Sequence, residues 1–282
     1  MKKLGIIFII VFLTAGHAGA ALDLMFIVDE SGSMSGEHEW IGNMVTSLDS
    51  ELVSAGESSN RYALVGFGAG TSDGGPKARK HLLGSVSWGS AAKLSTATEG
   101  LVTSGCMEDG WEGIVFGLKK YYFRSDAVTN MILITDEDRD PVDPQLTYDY
   151  VLSKLTAKNV MLNVIVDCGF QDGTGAVALG VGADGTAYLA DGSGGYSIGS
   201  GGVMVSPYYN TDVCYVELAW ATGGMAWNVE LLRKGGLLAE SFTAAFIDAK
   251  VSEIVSTPAP GAFLLVSIGI GTIGWFKRRK IL

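Results

Sequence analysis

Histidine, cysteine and basic side chains are scarce in this chain of 282 residues, which has three His, three Cys and only 20 Lys and Arg against 30 Asp and Glu. Cys106, Cys168 and Cys214 form no Cys-x-x-Cys pair, which excludes zinc-ribbon and thioredoxin-type redox chemistry. With no His-Glu-x-x-His string, the zinc protease class drops out as well. The shortage of cations argues against nucleic acid, whose phosphates are bound by Lys and Arg. The formal net charge of −10 understates the acidity, because six cations sit at the two ends. Without them 14 basic residues face 30 acidic ones, a net of −16, which suits an exported domain that attracts divalent cations.

The chain also lacks an apolar run long enough to span a bilayer comfortably, which takes about 20 residues as a helix. Two shorter runs are present. Lys2 and Lys3, the apolar stretch 4–13 and Ala18-Gly19-Ala20 read as the three parts of a signal peptide over residues 1–20. At the other end, Pro258-Ala259-Pro260-Gly261 precedes an apolar segment, 262–276, and the basic cluster Lys277-Arg278-Arg279-Lys280. This order resembles the PEP-CTERM sorting tail of Gram-negative bacteria, in a Pro-Ala-Pro variant without the Glu. The resemblance implies a tail over 255–282 with a short transmembrane segment, an exosortase-type processing enzyme as partner, and passage from the inner membrane to the cell surface or matrix. A simple C-terminal anchor is the alternative.

Between the ends lies enough chain for one large α/β domain. Residues 22–28 are a short apolar run of the kind found in buried parallel strands. Ile41, Met44, Val45, Leu48 and Leu52 then fall on one helix face. Strands are expected at 62–67, 128–134 and 160–166 with a short edge strand at 81–83, and helices at 90–102, 111–122, 148–155 and near 238–249. Such alternation predicts a doubly wound, mostly parallel sheet flanked by helices. Residues 169–215 break the rhythm with Gly, Ser and Asp. Asp184-Gly185 and Asp191-Gly192 are hairpin-turn signals there, and 187–189 and 203–205 are short strands of a surface β insertion, unless the stretch is disordered. Cys168 and Cys214 bracket that insertion and form the expected disulfide in an oxidising compartment, with buried thiols as the alternative.

The string Asp29-Glu30-Ser31-Gly32-Ser33 stands at the end of the first apolar strand and offers a carboxylate and two hydroxyls, oxygens of the type that Mg²⁺ or Ca²⁺ prefers. Beyond the 128–134 strand comes Thr135-Asp136, and before the 111–122 helix comes Glu108-Asp109-Gly110-Trp111-Glu112. Together these residues resemble a von Willebrand factor type A (vWA) domain over 21–254, and Ala221-Thr222-Gly223-Gly224 resembles that family's Thr-Gly-Gly signature. The resemblance implies a metal-ion-dependent adhesion site with Asp29, Ser31, Ser33 and Asp136 as ligands. Its usual middle-loop Thr is missing, and comparison with integrin β-subunit domains implies Glu112 as the third-loop ligand, with Asp109 as the alternative. The implied cofactor is Mg²⁺, or Ca²⁺ or Mn²⁺. The implied role is adhesion to an extracellular protein or acidic polysaccharide. A structural matrix protein acting through the Gly-rich insertion is the competing role, and a metal-assisted hydrolase is a further one. No enzyme activity is expected. His38, one turn past the motif, is expected at the surface, and the acidic run after Asp136 as a solvated loop.

Overall fold

The computed structural model describes residues 21–69, 78–105, 107–141 and 143–257. Residues 1–20, read from the sequence as a signal peptide, the expected sorting motif Pro258 to Gly261, the 262–276 segment and Cys106 lie outside them. Among the described residues no helix is long and apolar enough to cross a membrane.

The chain opens with β1 (Ala21–Asp29), α1 (Ser35–Ser54), β2 (Asn60–Phe67), β3 (Arg79–His81) and α2 (Ala91–Thr98). It continues through α3 (Gly110–Lys120), β4 (Ala127–Ile134), α4 (Tyr148–Ala157) and β5 (Val160–Val166). Six short strands follow, β6 (Cys168–Gln171), β7 (Val177–Ala178), β8 (Gly180–Gly182), β9 (Ala187–Ala190), β10 (Tyr196–Gly199) and β11 (Val203–Pro207). A π-helical turn (Asp212–Val216) leads into α5 (Glu217–Ala221), β12 (Met225–Asn228), α6 (Val229–Arg233) and α7 (Gly236–Ser256).

Nine strands form one sheet in the order β10-β9-β8-β12-β5-β4-β1-β2-β3. The five central strands, β12 to β2, are parallel, and the strands outside them pair antiparallel. Both faces of β1 are covered, which is why it reads as a nearly unbroken apolar run. Leu22, Leu24, Phe26 and Val28 enter a core shared with α1, α2 and α7, while Met25 and Ile27 enter a second core with α3, α4 and α5. The lone acid in the run, Asp23, is fully buried but held by the guanidinium groups of Arg61 and Arg124 at 2.6 and 2.8 Å. From β1 the chain goes to β2 on one side and later returns to β4 on the other. The carboxyl ends of β1 and β4 therefore flank the switch point, where α/β sheets open a crevice.

Residues 169–215 depart from the expected surface insertion, and they are ordered. β8 pairs with β12 and carries β9 and β10, so half of the segment extends the main sheet; β6, β7 and β11 form a separate three-stranded sheet. Leu179, Val181, Ala187 and Tyr188 are buried, which supplies the apolar anchoring that the Gly-rich composition conceals. The Thr-Gly-Gly string has a mechanical reason. Thr222 Oγ1 accepts the Leu162 N–H at 2.9 Å, Gly223 turns at φ +84°, and a Cβ on Gly224 would stand 1.8 Å from the Leu162 carbonyl oxygen.

The expected disulfide is a second correction. Cys168 and Cys214 are free, buried thiols, packed in the core on the α3–α5 side of the sheet, and burial pushes them up to about 12 and about 11. Each side chain is directed by the fold of its own element into apolar surroundings, where free cysteine is commonly found.

Candidate metal centre

β1 delivers Asp29 fully buried at the carboxyl edge. Its Oδ1 accepts the Ser31 N–H at 2.7 Å, and its Oδ2 accepts the Thr135 hydroxyl at 2.7 Å, which ties the β1 loop to the β4 loop. Ser31 and Ser33 converge, with their hydroxyl oxygens 3.2 Å apart. Asp136 is 8 % exposed, and its Oδ1 is buried with no hydrogen-bond partner among the described residues. Four of the five residues read as ligands from the sequence are thus gathered at the end of β1 and β4.

The fifth is not gathered there. Asp109 is the N-cap of α3, so Glu112 lies inside the first helical turn and reaches the Ala78 N–H at 3.2 Å, just before β3. Asp109 is committed as well, since it accepts from Trp111 N–H and from Arg139 at 2.7 and 2.8 Å, with that guanidinium stacked over Trp111. Glu108 is the acid that this loop places beside Asp29. Gly68 turns at φ +79°, and a Cβ on it would stand 3.0 Å from Asp29 Oδ1 and 3.3 Å from Glu108 Cγ. Glu108 is held by its backbone, whose N–H donates to Asp140 Oδ2 at 3.2 Å and whose carbonyl accepts the Asp140 N–H at 2.8 Å. Cap chemistry could have indicated this in the sequence, because an Asp ahead of Gly110-Trp111 starts the helix and leaves Glu108 as the last loop acid.

The electrostatics follow from burying these acids together. Burial, then repulsion by Asp136, raises Asp29 to about 7 against the hydrogen bonds from Thr135 and Ser31. Glu108 is raised to about 8, by burial first and then by Asp29, Asp140, Glu137 and Asp136. Glu137 and Asp138 are raised in the same way, and Asp167, just past β5, by burial and Glu230. In the acidic run after Asp136, Glu137, Asp138 and Asp140 are half-buried and Asp143 is exposed.

Three neighbours of the motif have structural roles. Glu30 is fully buried in the space left by Gly66 and is held by Arg79, His81 at 3.1 Å and the Val102 N–H at 3.0 Å. Burial alone would raise it, but those bonds bring it down to about 2. His38, expected at the surface, is buried and its Nε2 lies 2.7 Å from the Asp29 carbonyl oxygen. Arg233, at the end of α6, carries no local signal in the sequence and reaches Asp136 Oδ2 at 2.8 Å.

A divalent cation suits the donor set. Asp136 Oδ1 is an orphaned buried acceptor, and the hard oxygens of Asp29, Ser31 and Ser33 lie on the same edge. Among the described residues no three His, Cys, Asp and Glu side chains stand close enough to hold a metal by themselves. The two serine hydroxyls would have to complete the set.

The fold is doubly wound α/β. No family model matches the chain, and no curated protein does. Solved structures similar to it include an aerotolerance-related membrane protein from Bacteroides fragilis, 15 % identical over 83 % of this chain and 98 % of that one, with a TM-score of 0.44. BatB, a conserved hypothetical protein from Bacteroides thetaiotaomicron, is 14 % identical over 84 % of this chain and all of that one, with a TM-score of 0.48. A von Willebrand factor type A protein from Catenulispora acidiphila is 15 % identical over 52 % of this chain, which spans 33 % of that one, with a TM-score of 0.38. These are likenesses of fold, and neither ligand nor partner is taken from them.

Proposed function

We propose that this chain is an exported, vWA-type binding module that uses a divalent cation at the end of β1 and β4 to adhere to an extracellular protein or acidic polysaccharide. The observation that carries the reading is the buried, unpartnered Oδ1 of Asp136 on the same edge as Asp29 and the paired serine hydroxyls. Asp29, Ser31, Ser33 and Asp136 would hold the cation, with Glu108 the third-loop acid in place of Glu112. Mg²⁺ is the first choice for such oxygens, with Ca²⁺ and Mn²⁺ as alternatives. When bound, the ion supplies a Lewis-acidic position for an oxygen of the partner. The chain's own part is to fix the ligand oxygens of Asp29 through Thr135 and the Ser31 backbone.

Adhesion is favoured over hydrolysis because the described histidines are both committed, His38 to the Asp29 carbonyl and His81 to Glu30. Two Gly-x-Ser-x-Gly strings occur, at 70–74 and 195–199. The second runs along β10 rather than over a strand-to-helix turn of the kind a serine nucleophile uses. Export, anchoring by the 262–276 segment and exosortase processing at Pro258 to Gly261 belong to the same reading and rest on the sequence.

The test is binding of the purified chain to immobilised matrix protein and to an acidic polysaccharide in Mg²⁺ and in chelator, beside Asp29→Ala. Retention in Mg²⁺ that chelator and the substitution both abolish is expected. Equal retention under all conditions would overturn the cation-dependent reading and favour contact through the strands of 169–215.

A further inference from the structure

Arg233 is the one cation that touches the proposed ligand set among the described residues, and it arrives from a distant part of the chain. It sits at the end of α6, 196 positions from its partner Glu37. Its Nε donates to Glu37 Oε1 at 2.8 Å, its Nη1 pairs with Glu230 at 2.9 Å, and its Nη2 pairs with Asp136 Oδ2 at 2.8 Å. The same Nη2 is 3.3 Å from the Ser33 carbonyl oxygen, so the guanidinium is seated against the motif itself. Glu37 is buried and the Arg233 side chain is 26 % exposed, which leaves this charge only partly screened. A guanidinium keeps its proton under all conditions in which a protein is folded.

One oxygen of Asp136 is therefore taken by a permanent positive charge while the other has no hydrogen-bond partner among the described residues. A divalent cation bound through Asp136 must share that carboxylate with Arg233. Like charges at such separation repel, and the repulsion is strongest where water is excluded. We infer that Arg233 is an internal competitor for the cation, whose guanidinium grip on Asp136 weakens divalent binding and sets the concentration at which the site fills. The inference rests on the metal-binding reading above and adds its regulation. Glu37 and Glu230 remain as partners when Asp136 is drawn to the ion, so Arg233 stays at the rim. There it borders a groove of ≈ 680 Å³, lined also by Ser33, Glu37, Trp40 and Gly235.

Mn²⁺ titration of the full chain, followed calorimetrically and by the electron paramagnetic signal of the free ion, tests this. Arg233→Gln is expected to bind Mn²⁺ at least tenfold more tightly than the parent. Arg233→Lys, which keeps the charge and loses the fork, is expected to stay within about threefold of the parent. The parent alone gives a second measurement that needs no variant: the resonance of the Arg233 Nη2 protons, which face Asp136, should shift as Mg²⁺ is added. Equal or weaker binding in Arg233→Gln, or an unmoved resonance with Mg²⁺ bound, overturns the competition and leaves the metal site standing. No Mn²⁺ binding in parent and variant alike overturns the metal site and the competition together.

Discussion

The same three-residue spacing, an Asp followed two positions later by Ser or Thr, occurs at the end of β1 and in the turns at Asp172, Asp184 and Asp191, with opposite results. In the turns the acid is exposed, or half-buried at Asp172, and its donors are local. Asp191 Oδ1 accepts from Ser193 N–H, Ser193 Oγ and Gly195 N–H at 2.7, 2.8 and 3.0 Å, and these bonds lower its pKa, the Ser193 backbone first. Asp172 is lowered likewise, by Thr174 first. At Asp29 the motif supplies the Ser31 N–H and, as a smaller contribution, the Ser31 hydroxyl, which also lies 3.2 Å from the Ser33 hydroxyl. Burial then dominates and raises the acid to about 7. The turn motif closes on itself, whereas the strand-end motif keeps oxygen lone pairs for something else. What separates them is the second residue: Gly in each turn, Glu30 at the strand end, where its buried ion pair pulls the loop against the sheet.

The contrast can be broken most forcefully at Gly66. A Cβ there would stand 2.1 Å from Glu30 Oε2, so Gly66→Ala should displace a carboxylate that is buried and ion-paired. A loss of about 3 kcal/mol in chemical denaturation is expected. A change under about 1 kcal/mol would mean that Glu30 does not fasten the motif.

The next effect is one of pH. Asp29 and Glu108 keep their protons in the native state up to about 7 and about 8, above the ordinary values of 3.8 and 4.5. The unfolded chain releases them earlier, so between pH 4 and 8 the native state binds more protons and its stability falls as pH rises. Denaturation in chelator at pH 5, 6, 7 and 8 should reveal that fall, at most about 1.4 kcal/mol per pH unit for each group. Saturating Mg²⁺ should flatten it. Stability that rises over this range in chelator would contradict two protonated carboxyls at the strand end.

Smaller still is the choice of third-loop acid. Glu108→Gln should weaken Mn²⁺ binding about tenfold, which is about 1.4 kcal/mol, and Glu112→Gln should leave it within twofold. The reverse ranking would restore the residue that the sequence favours. Least of all, Asp191→Ala should lower Tm by about 2 °C with Mn²⁺ affinity unchanged. An effect on affinity would show that the turns and the strand end are coupled.

The expected strands and helices were legible because each carries one strong signal. β1, β4 and β5 are apolar on both faces, and α1 repeats its apolar residues with helical spacing. The strands β8 and β12 were illegible for the converse reason. They are three and four residues long, and Gly180-Val181-Gly182 reads as loop until Trp227 and the neighbouring strands cover it. Asp29, Ser31, Ser33 and Asp136 could be located because the motif follows one buried strand and the acid another. Glu108 is hidden in the sequence by Asp109 and Glu112 close behind it, and only the cap at Asp109 decides between them.

By itself the sequence determined the alternation of strand and helix, the edge of the sheet where the acids gather, and the placement of Asp29, Ser31, Ser33 and Asp136 at or just past the ends of β1 and β4. Those depend on residues close in the chain and on burial, which periodicity records. Tertiary structure alone decided that Glu112 turns toward β3, that Cys168 and Cys214 stay unpaired, and that Arg233 reaches Asp136. Each of these depends on where separate elements come to rest against one another, and no local pattern encodes the contact between α6 and a loop that closes the far side of the sheet's switch point.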